Sequence, residues 1–212
     1  ASGVSEPDRI MDFARLDPLL APDAILVLVD AEAVADRLAD PKVGEVVATQ
    51  IGTADILILN KTDLVPAGSI DRVETSLRSL NAGAPILRAP SAELSLDIVL
   101  GTGSHGDLQS AEGHHHHHHA EEMFNTRAFT AIAPIDRAAF EAFAAALPVS
   151  VVRGKGVLVF ADAPDQAEVW QRVGARMELT VQRAGPAPEG SSLVLIGTAP
   201  IVAGIAGLHE AV

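Results

Sequence analysis

The sequence has no cysteine, few basic residues and no long apolar run. Without cysteine, the chain excludes disulfide bonds, thiolate metal sites and a cysteine nucleophile within these residues. Lys and Arg number 15 against 28 Asp and Glu, and the resulting net charge of −13 repels phosphate backbones and anionic membrane surfaces. We therefore expect neither nucleic acid nor a membrane among the partners of this protein.

Two further absences concern the location of the protein. No apolar run reaches the ~18 residues that a membrane-spanning helix requires, and no cationic segment followed by an apolar one marks a signal peptide. The cytoplasm is therefore the expected location.

The composition, 48% hydrophobic and 20% charged, excludes a disordered chain, and 212 residues suffice for one large domain or two small ones.

Strand-like and helix-like patterns alternate in the first block, residues 1–101. Two continuous apolar runs end in the polar residues Asp30 and Asn60, and such runs are typical of strands that are buried on both faces. The alternation of strands with helices predicts right-handed crossovers and a parallel α/β sheet. The predicted strands are residues 24–30, 55–60 and 84–88, and the predicted helices are residues 41–52 and 69–80.

The rest of the chain divides into a linker and a second block. Residues 102–122 are rich in Gly, Ser and His, which is turn and linker chemistry. Residues 123–212 mix strands with two helices, a pattern that predicts a small α+β domain with its helices on one face of the sheet. Here strands are predicted at residues 124–132, at 149–160, at 168–182 with a turn near Gly174, and at 193–197, and helices at residues 136–147 and 200–209.

A tetrapeptide with distinctive chemistry, Asn60-Lys61-Thr62-Asp63, directly follows the second predicted strand. In an open α/β sheet, ligands bind beyond the carboxyl ends of the strands, where this loop would lie. An ionised Asp63 accepts two hydrogen bonds, and guanine offers two adjacent donors, N1–H and N2–H₂, that adenine lacks. The apolar stem of Lys61 can cover the purine face, and the Asn60 amide can tie the loop to neighbouring backbone. The tetrapeptide thus indicates a guanine site; the alternative is a solvated loop in which Asn60 and Asp63 form turns.

The surroundings of this tetrapeptide resemble the CobW-type family of GTPases, a branch of the P-loop NTPases that is tied to metal delivery. The similarity extends over nearly the whole chain, in the order expected for that family. It is carried by residues 1–7, 28–31, 50–65 and 81–86 in the first block, and by residues 140–148, 152–156 and 194–197 in the second.

The resemblance implies an α/β fold, with an incomplete P-loop GTPase-like parallel sheet followed by the small α+β C-terminal domain of the family. The sequence has no Gly-x-x-x-x-Gly-Lys-Ser/Thr loop for phosphates and no Cys-x-Cys-Cys metal motif, and in this family both would precede Ala1. A partner segment is therefore implied, the amino-terminal part of the same protein. The complete protein is then a GTPase that uses Mg²⁺, whereas these 212 residues alone are expected to be inactive.

By the same resemblance, residues from two loops surround a bound guanine nucleotide. Asp63 reads the base, Lys61 covers it and Asn60 shapes the loop. Arg88 and Ala89, at the end of the third predicted strand, border the base from the other side. These five residues are the candidate nucleotide-binding residues.

Three other residues have two interpretations each. Asp30 lies beside the predicted guanine site, where it either bears on Mg²⁺ or caps a helix N-terminus. Arg153 belongs to a signature of the family's C-terminal domain; it either makes a partner or interdomain contact or lies on a solvated strand face, and we favour the solvated face. Trp170 is the only tryptophan and is explained as an anchor of a core or of a domain seam.

Six consecutive histidines lie in the predicted linker. Imidazoles in a flexible run suit borderline divalent metals such as Zn²⁺, Ni²⁺, Co²⁺ and Cu²⁺, without strong selectivity. CobW-type proteins often carry a His-rich stretch in this place, which favours native metal capture; a purification tag has the same length and is the alternative. The candidate metal ligands are His114, His115, His116, His117, His118 and His119.

Two functions from different classes are compatible with these features. The resemblance predicts a GTP-binding metal chaperone, in which GTP binding and hydrolysis drive delivery of a divalent metal, Zn²⁺ or Co²⁺, to a client metalloprotein. The alternative is a non-catalytic, His-rich metal-buffering or protein-interaction module with a degenerate nucleotide fold. Tight binding of guanine nucleotides is the property that distinguishes them.

Overall fold

The computed structural model describes residues 6–17, 19–100, 124–182, 190–202, 204–205 and 207–210. The chain divides into two compact units, Ala1–Leu94 and Ser95–Val212. In the described ranges, no helix is long and apolar enough to cross a membrane. The predicted linker, residues 102–122, lies outside the described residues together with its six histidines.

The first unit is built on a three-stranded parallel sheet, as predicted. Its strands are β1 (Leu26–Asp30), β2 (Ile56–Asn60) and β3 (Ile86–Ala89), in the spatial order β1-β2-β3. β2 lies in the centre and its apolar residues are all buried, which is why its sequence is a continuous apolar run. The prediction that β1 is buried on both faces is wrong, because β1 is an edge strand of the described sheet and Leu28 is 59% exposed.

In the described part of this unit, four helices and two short 3₁₀ turns accompany the strands. The helices are α1 (Pro7–Leu16), α2 (Val34–Ala39), α3 (Gly44–Thr53) and α4 (Ala67–Leu80), and the turns are Thr62–Leu64 and Pro90–Ala92. Ile51 of α3 and Leu77 of α4 pack with Leu57 and Leu59 of β2 in the core. Burial of such side chains contributes about 25 cal/mol per Å² of apolar surface and fixes the strands whose ends form the site.

Asn81 positions the chain where it enters β3. Its Nδ2 donates to the carbonyls of Ile51 and Ala54, at 2.9 Å each, and so satisfies acceptors at the end of α3. Its Oδ1 accepts from the N–H of Ala84 at 3.0 Å. One side chain thereby joins the end of α3 to the start of β3.

The described part of the second unit is a six-stranded antiparallel sheet with helices, so the predicted α/β fold class with a small α+β part is confirmed. Its elements are α5 (Leu96–Leu100), β4 (Asn125–Ala131), α6 (Arg137–Ala146), β5 (Val151–Phe160), β6 (Ala163–Val173), β7 (Arg176–Val181), β8 (Ser191–Gly197) and β9 (His209–Glu210). In space the strands follow the order β7-β6-β5-β8-β4-β9. Phe140 of the longer helix meets Phe160 and Trp170 edge to face, with ring centroids 5.8 and 5.5 Å apart.

The described residues of the carboxy-terminal segment are not helical, and the predicted helix at residues 200–209 is wrong. β9 pairs with β4 instead. Arg127 of β4 donates to the carboxylate of Glu210 and to the carbonyl of Ile201, which ties the segment to the sheet at two points. Gly207 has a φ of +90°, outside the helical range. The strand pairing and the Arg127 contacts therefore outweigh the apolar pattern of this segment.

Arg153 is buried, so its interpretation as part of a solvated strand face is wrong. Its residue surface is 2% exposed, and Nη1 donates to the carbonyl of Ile98 in α5 at 3.0 Å. This contact lies within the second unit, which begins before α5, whereas the sequence pattern assigns α5 to the first block. The hydrogen bond from Arg153 explains why α5 packs with the second unit.

Gly154 leaves room for the ring of Trp170. A Cβ atom at Gly154 would lie 2.5 Å from Cζ3 of Trp170 and 3.0 Å from Cδ2 of Leu195. Trp170 is almost fully buried, and close-packed neighbours leave such a ring little space to move. The close approach of the Trp170 ring to β5 therefore explains why residue 154, next to Arg153, is a glycine.

Gly154→Ala is expected to destabilise the second unit by about 2 kcal/mol, because added atoms in a filled core typically cost about 1–3 kcal/mol. Urea unfolding followed by Trp170 fluorescence and far-UV circular dichroism measures the loss. Gly68→Ala is the matched control, since a Cβ at Gly68 of α4 meets no atom within 4 Å and alanine favours helix. Equal free energies of unfolding for the two variants would contradict the packing role of Gly154.

Candidate functional site

The carboxyl ends of three parallel strands meet at one edge of the first unit. In the register of the sheet, Asp30 of β1 lies beside Asn60 of β2, and Asn60 lies beside Ala89 of β3. The carboxyl ends of parallel strands form the crevice in which α/β folds bind ligands. The structure therefore brings together Asn60, Lys61 and Ala89 of the predicted guanine site, with Asp30 adjacent to them.

Asn60 ties the loops after β2 and β3 to each other. Its Oδ1 accepts hydrogen bonds from the N–H groups of Lys61 and Ala92, both at 2.8 Å. Its main-chain carbonyl accepts from the N–H of Ala31 at 3.0 Å, one residue beyond β1. An amide oxygen has two lone pairs and can accept both side-chain bonds. One residue thus connects the carboxyl ends of all three strands.

The non-glycine residues with left-handed backbone geometry are concentrated at this edge. In the part of the chain that the structure describes, the non-glycine residues with positive φ are Lys61, Ser91 and Ala92, each at +57°. This conformation costs roughly 1–2 kcal/mol per residue and persists where surrounding contacts enforce it. Asn60 supplies such contacts to Lys61 and Ala92. The sequence carries no signal for the geometry at Ser91 and Ala92, because neither is Gly or Asn.

Lys61 forms an ion pair with Asp30 across the strand ends. Its Nζ lies 2.7 Å from Oδ2 of Asp30, and Oδ1 of Asp30 accepts from the N–H of Glu32 at 3.0 Å. Asp30 is not the N-cap of α2, which is Ala33; it caps the turn before that helix. The hydrogen bond from Lys61 lowers the pKa of Asp30 below its ordinary value, and the bond to Asp30 raises the pKa of Lys61.

Lys61→Met is expected to raise the pKa of Asp30 toward its ordinary value. A carboxyl whose pKa is lowered by folding stabilises the fold above the pKa of the unfolded chain, and this contribution is lost as the pH falls through the folded pKa. The stability difference from wild type should therefore be largest near neutral pH and decline as the pH falls below about 4 and through the lowered pKa of Asp30. NMR titration of the Asp30 carboxyl carbon measures the shift, with Lys42→Met as the control. An unchanged pKa in Lys61→Met would contradict the ion pair.

Asp63 is exposed on the 3₁₀ turn that follows β2. Within the described part of the chain, its carboxylate forms no hydrogen bond or ion pair with the protein. The backbone on which it stands is fixed by the contacts of Asn60. A carboxylate placed in this way can accept two hydrogen bonds from a ligand.

Arg88 is bound by α4 rather than by the loop after β2. Its Nε lies 2.6 Å from Oε1 of Glu74, and its Nη2 lies 3.3 Å from Oδ1 of Asp71. These carboxylates hold the guanidinium against α4, so contact of Arg88 with a base stays a prediction. Ala89 is fully buried at the end of β3, where it pairs with Asn60 in the register of the sheet.

Candidate metal ligands are not gathered among the described residues. In that part of the chain, no group of three or more His, Cys, Asp or Glu side chains could hold a metal ion. His209 is an exposed residue of β9. The run His114–His119 lies outside the described residues, and its role in metal capture stays a prediction.

Two family models match the chain. Residues 1–88 match the model described as CobW/HypB/UreG, nucleotide-binding domain. Residues 124–206 match the model described as cobalamin synthesis protein cobW C-terminal domain. The first match contains the loop after β2, and the second contains α6 and the strands from β4 to β8. Together the two matches cover most of the chain.

The chain is also similar to proteins of known name. Zinc chaperone CobW of Sinorhizobium sp is 31% identical over 189 residues, which cover 80% of this chain and 52% of that protein. The chain thus spans about half the length of the curated relative that it matches. Two solved structures, a Zn(II)-bound YjiA GTPase from E. coli and a Zn(II)-bound triple mutant of YjiA GTPase, align at 20% identity with a TM-score of 0.39, over 92% of this chain and 64% of theirs. From the two family models, this chain belongs to the CobW family and carries residues of its nucleotide-binding and C-terminal domains.

Proposed function

We propose that this chain is part of a GTP-dependent metal chaperone, which couples GTP binding and hydrolysis to delivery of a divalent metal to a client metalloprotein. The observation that carries the proposal is the exposed Asp63 carboxylate on a loop that Asn60 fixes to the ends of three strands. The match of residues 1–88 to a nucleotide-binding domain supports it. The name of the relative, zinc chaperone, favours Zn²⁺ as the metal, with Co²⁺ as the second candidate.

Guanine suits the chemistry of this loop better than adenine does. The Asp63 carboxylate accepts hydrogen bonds from N1–H and N2–H₂ of guanine, and adenine offers no such pair of donors. The stem of Lys61, held at its end by Asp30, provides apolar surface for one face of the purine. A site built on paired hydrogen bonds rejects a base that would leave its polar groups unpaired.

The phosphate groups of the nucleotide need donors that these residues do not supply. The sequence has no Gly-x-x-x-x-Gly-Lys-Ser/Thr loop. Asp30 does not fit a Mg²⁺ site in this structure, because Lys61 and the N–H of Glu32 engage its carboxylate. We assign base recognition to this chain, and phosphate and Mg²⁺ binding to a further segment of the same protein. The 212 residues alone are therefore not expected to hydrolyse GTP.

Exposed apolar side chains on the first unit support a partner segment of this kind. Ile10, Phe13 and Leu16 recur every three residues along α1 and are 50%, 78% and 80% exposed. Residues three apart lie near one face of a helix, and clustered exposed apolar side chains mark interaction surfaces. Leu28 is exposed on β1, an edge strand of the described sheet. A segment that packs on α1 and extends the sheet beside β1 would cover both surfaces.

Competition binding tests the nucleotide part of this proposal. A fluorescent GDP analogue is bound to the longest form of the protein that its gene encodes, and unlabelled nucleotides displace it. GTP and GDP are expected to compete at least about 100-fold better than ATP and ADP, because adenine leaves the Asp63 carboxylate unpaired. Equal displacement by both bases, or no binding at all, would favour the alternative function of a metal-buffering module.

Replacement of the six histidines by Gly and Ser tests the metal part. This change keeps the length of the segment His114–His119 and removes the imidazoles that suit Zn²⁺ and Co²⁺. The number of metal ions bound per protein, measured by equilibrium dialysis and elemental analysis, is expected to fall, while the affinity for GDP stays within about twofold. An unchanged metal stoichiometry would exclude capture by the run, and a large loss of GDP affinity would exclude a linker role.

A further inference from the structure

The ammonium group of Lys61 pairs with Asp30 and not with Asp63, the acidic residue nearest to it in the sequence. Asp63 lies two residues beyond Lys61 in the same turn, yet the Lys61 Nζ bonds Asp30 at 2.7 Å. Within the described residues, the Asp63 carboxylate has no protein partner. An ammonium group on Asp63 would occupy the oxygens that guanine needs as acceptors. The choice of partner by Lys61 therefore decides whether the base-reading carboxylate is available.

We propose that Asp30 is a positioning residue of the guanine site: it holds the Lys61 ammonium at the end of β1 and so keeps the Asp63 carboxylate unpaired for the base. This inference rests on the proposed guanine site. Asp30 and Asn60 are register partners, so the Lys61 stem spans the gap of about 4.8 Å between neighbouring strands. The same ion pair thereby holds the stem across the carboxyl edge of the sheet.

Asp30 is better placed than Asp63 to hold the ammonium. Its Oδ1 accepts from the N–H of Glu32 and its carbonyl accepts from the N–H of Ala33, so the carboxylate is fixed before Lys61 binds it. The Asp30 side chain is 30% exposed, whereas Asp63 is exposed to solvent. A pair that is less exposed is screened less by water and salt. Both differences favour the pairing of Lys61 with Asp30.

A double-mutant cycle on GDP affinity tests whether Asp30 acts through Lys61. Asp30→Asn is expected to weaken GDP binding about three- to fivefold, the cost of displacing an exposed ion pair from Asp63. Lys61→Met keeps an apolar stem but removes the ammonium, and its own GDP affinity is the reference for the second half of the cycle. In the Lys61→Met background, Asp30→Asn should have no effect. Equal weakening in both backgrounds would overturn the proposal, because Asp30 would then support the site without Lys61.

The pKa of Lys61, measured without nucleotide by NMR of ¹³C-methylated lysines, gives a second readout. In Asp30→Asn it should stay above its ordinary value, because Asp63 takes over the ammonium, and it should return to that value in Asp30→Asn/Asp63→Asn. Glu32 also acts on the charge of Lys61 and is the competing acceptor. A pKa that stays raised in the double variant would assign the ammonium to Glu32 and overturn the proposal.

Two remaining outcomes separate this inference from the proposed function. If the Lys61 pKa already returns to its ordinary value in Asp30→Asn, the ammonium does not move to Asp63, and the inference is wrong whatever the nucleotide preference. If the pKa pattern is as expected but wild type shows no preference for guanine, the proposed function is wrong while positioning of Lys61 by Asp30 stands. Asp30→Glu keeps the carboxylate and should bind GDP within about twofold of wild type.

Discussion

Asp63→Asn is expected to reverse the base preference of the protein from guanine to xanthine nucleotides. The Asp63 carboxylate accepts from N1–H and N2–H₂ of guanine, whereas an Asn amide has one acceptor oxygen and one donor NH₂ group. In the variant, the amide donor therefore faces the N2 donor of guanine. Xanthine carries a carbonyl oxygen at that position, so the Asn amide can pair with both groups of the xanthine edge.

The expected loss of GTP affinity is about 100-fold. A hydrogen bond to a charged group is worth about 1.5–3 kcal/mol, and 1.4 kcal/mol is a factor of ten in affinity. The loss of one such bond, together with the opposed donors, amounts to about 3 kcal/mol. Because Asp63 is exposed and has no partner among the described residues, the free energy of unfolding should change by less than about 0.5 kcal/mol.

Competition of GDP and XDP for a fluorescent analogue measures this reversal. Asp8→Asn is the matched control, because it makes the same charge change at an exposed residue of α1, and it should keep the preference for guanine. If Asp63→Asn still prefers guanine with unchanged affinity, the base is read by other residues, and the role given to the loop after β2 is wrong.

The central strand and the loop after it are predictable from the sequence because their physics is local. Burial of β2 on both faces requires an unbroken apolar run, and the run ends where Asn60 leaves the sheet. The same reasoning is wrong for β1, whose sequence is equally apolar although Leu28 is exposed. The composition of a segment indicates how much apolar surface it can bury. Whether the segment becomes a central or an edge strand depends on the other strands of the sheet.

The ion pair between Asp30 and Lys61 is not predictable in this way. The two residues are 31 positions apart, and they meet because β1 and β2 pair in one particular register. A shift of one residue would turn each side chain to the opposite face of the sheet. Arg88 shows the same limit, since the sequence places it at the correct strand end but does not reveal that Glu74 of α4 binds its guanidinium.

The role of Arg172, a buried cation, is not evident from the sequence. Its Nη1 donates to the carbonyl of Ala144 at 3.3 Å, and its Nη2 donates to the carbonyls of Leu147 and Pro148 at 3.2 and 3.3 Å. The residue is 4% exposed, and burial lowers the pKa of its guanidinium. The end of a helix presents carbonyls without intrahelical donors and a partial negative charge. Arg172 therefore caps α6 from a neighbouring strand.

Arg172→Met is expected to destabilise the second unit by about 3 kcal/mol. Methionine fills much of the same volume but donates no hydrogen bond, so the carbonyls of Leu147 and Pro148 lose a donor. A buried acceptor without a partner costs about 1–3 kcal/mol, and removal of a buried charge offsets part of that cost. For a unit of this size, a loss of 3 kcal/mol lowers Tm by roughly 15 °C.

Urea unfolding followed by Trp170 fluorescence measures this loss, since the Trp170 ring lies in the core of the second unit. Arg176→Met on β7 is the matched control, because Arg176 is only half-buried, and its effect should be smaller than that of Arg172→Met. Arg172→Lys keeps the charge but offers a single compact donor group, so its effect should be intermediate. If Arg172→Met unfolds at the same urea concentration as the control, the carbonyls at the end of α6 find other donors, and the guanidinium does not hold that helix on the sheet.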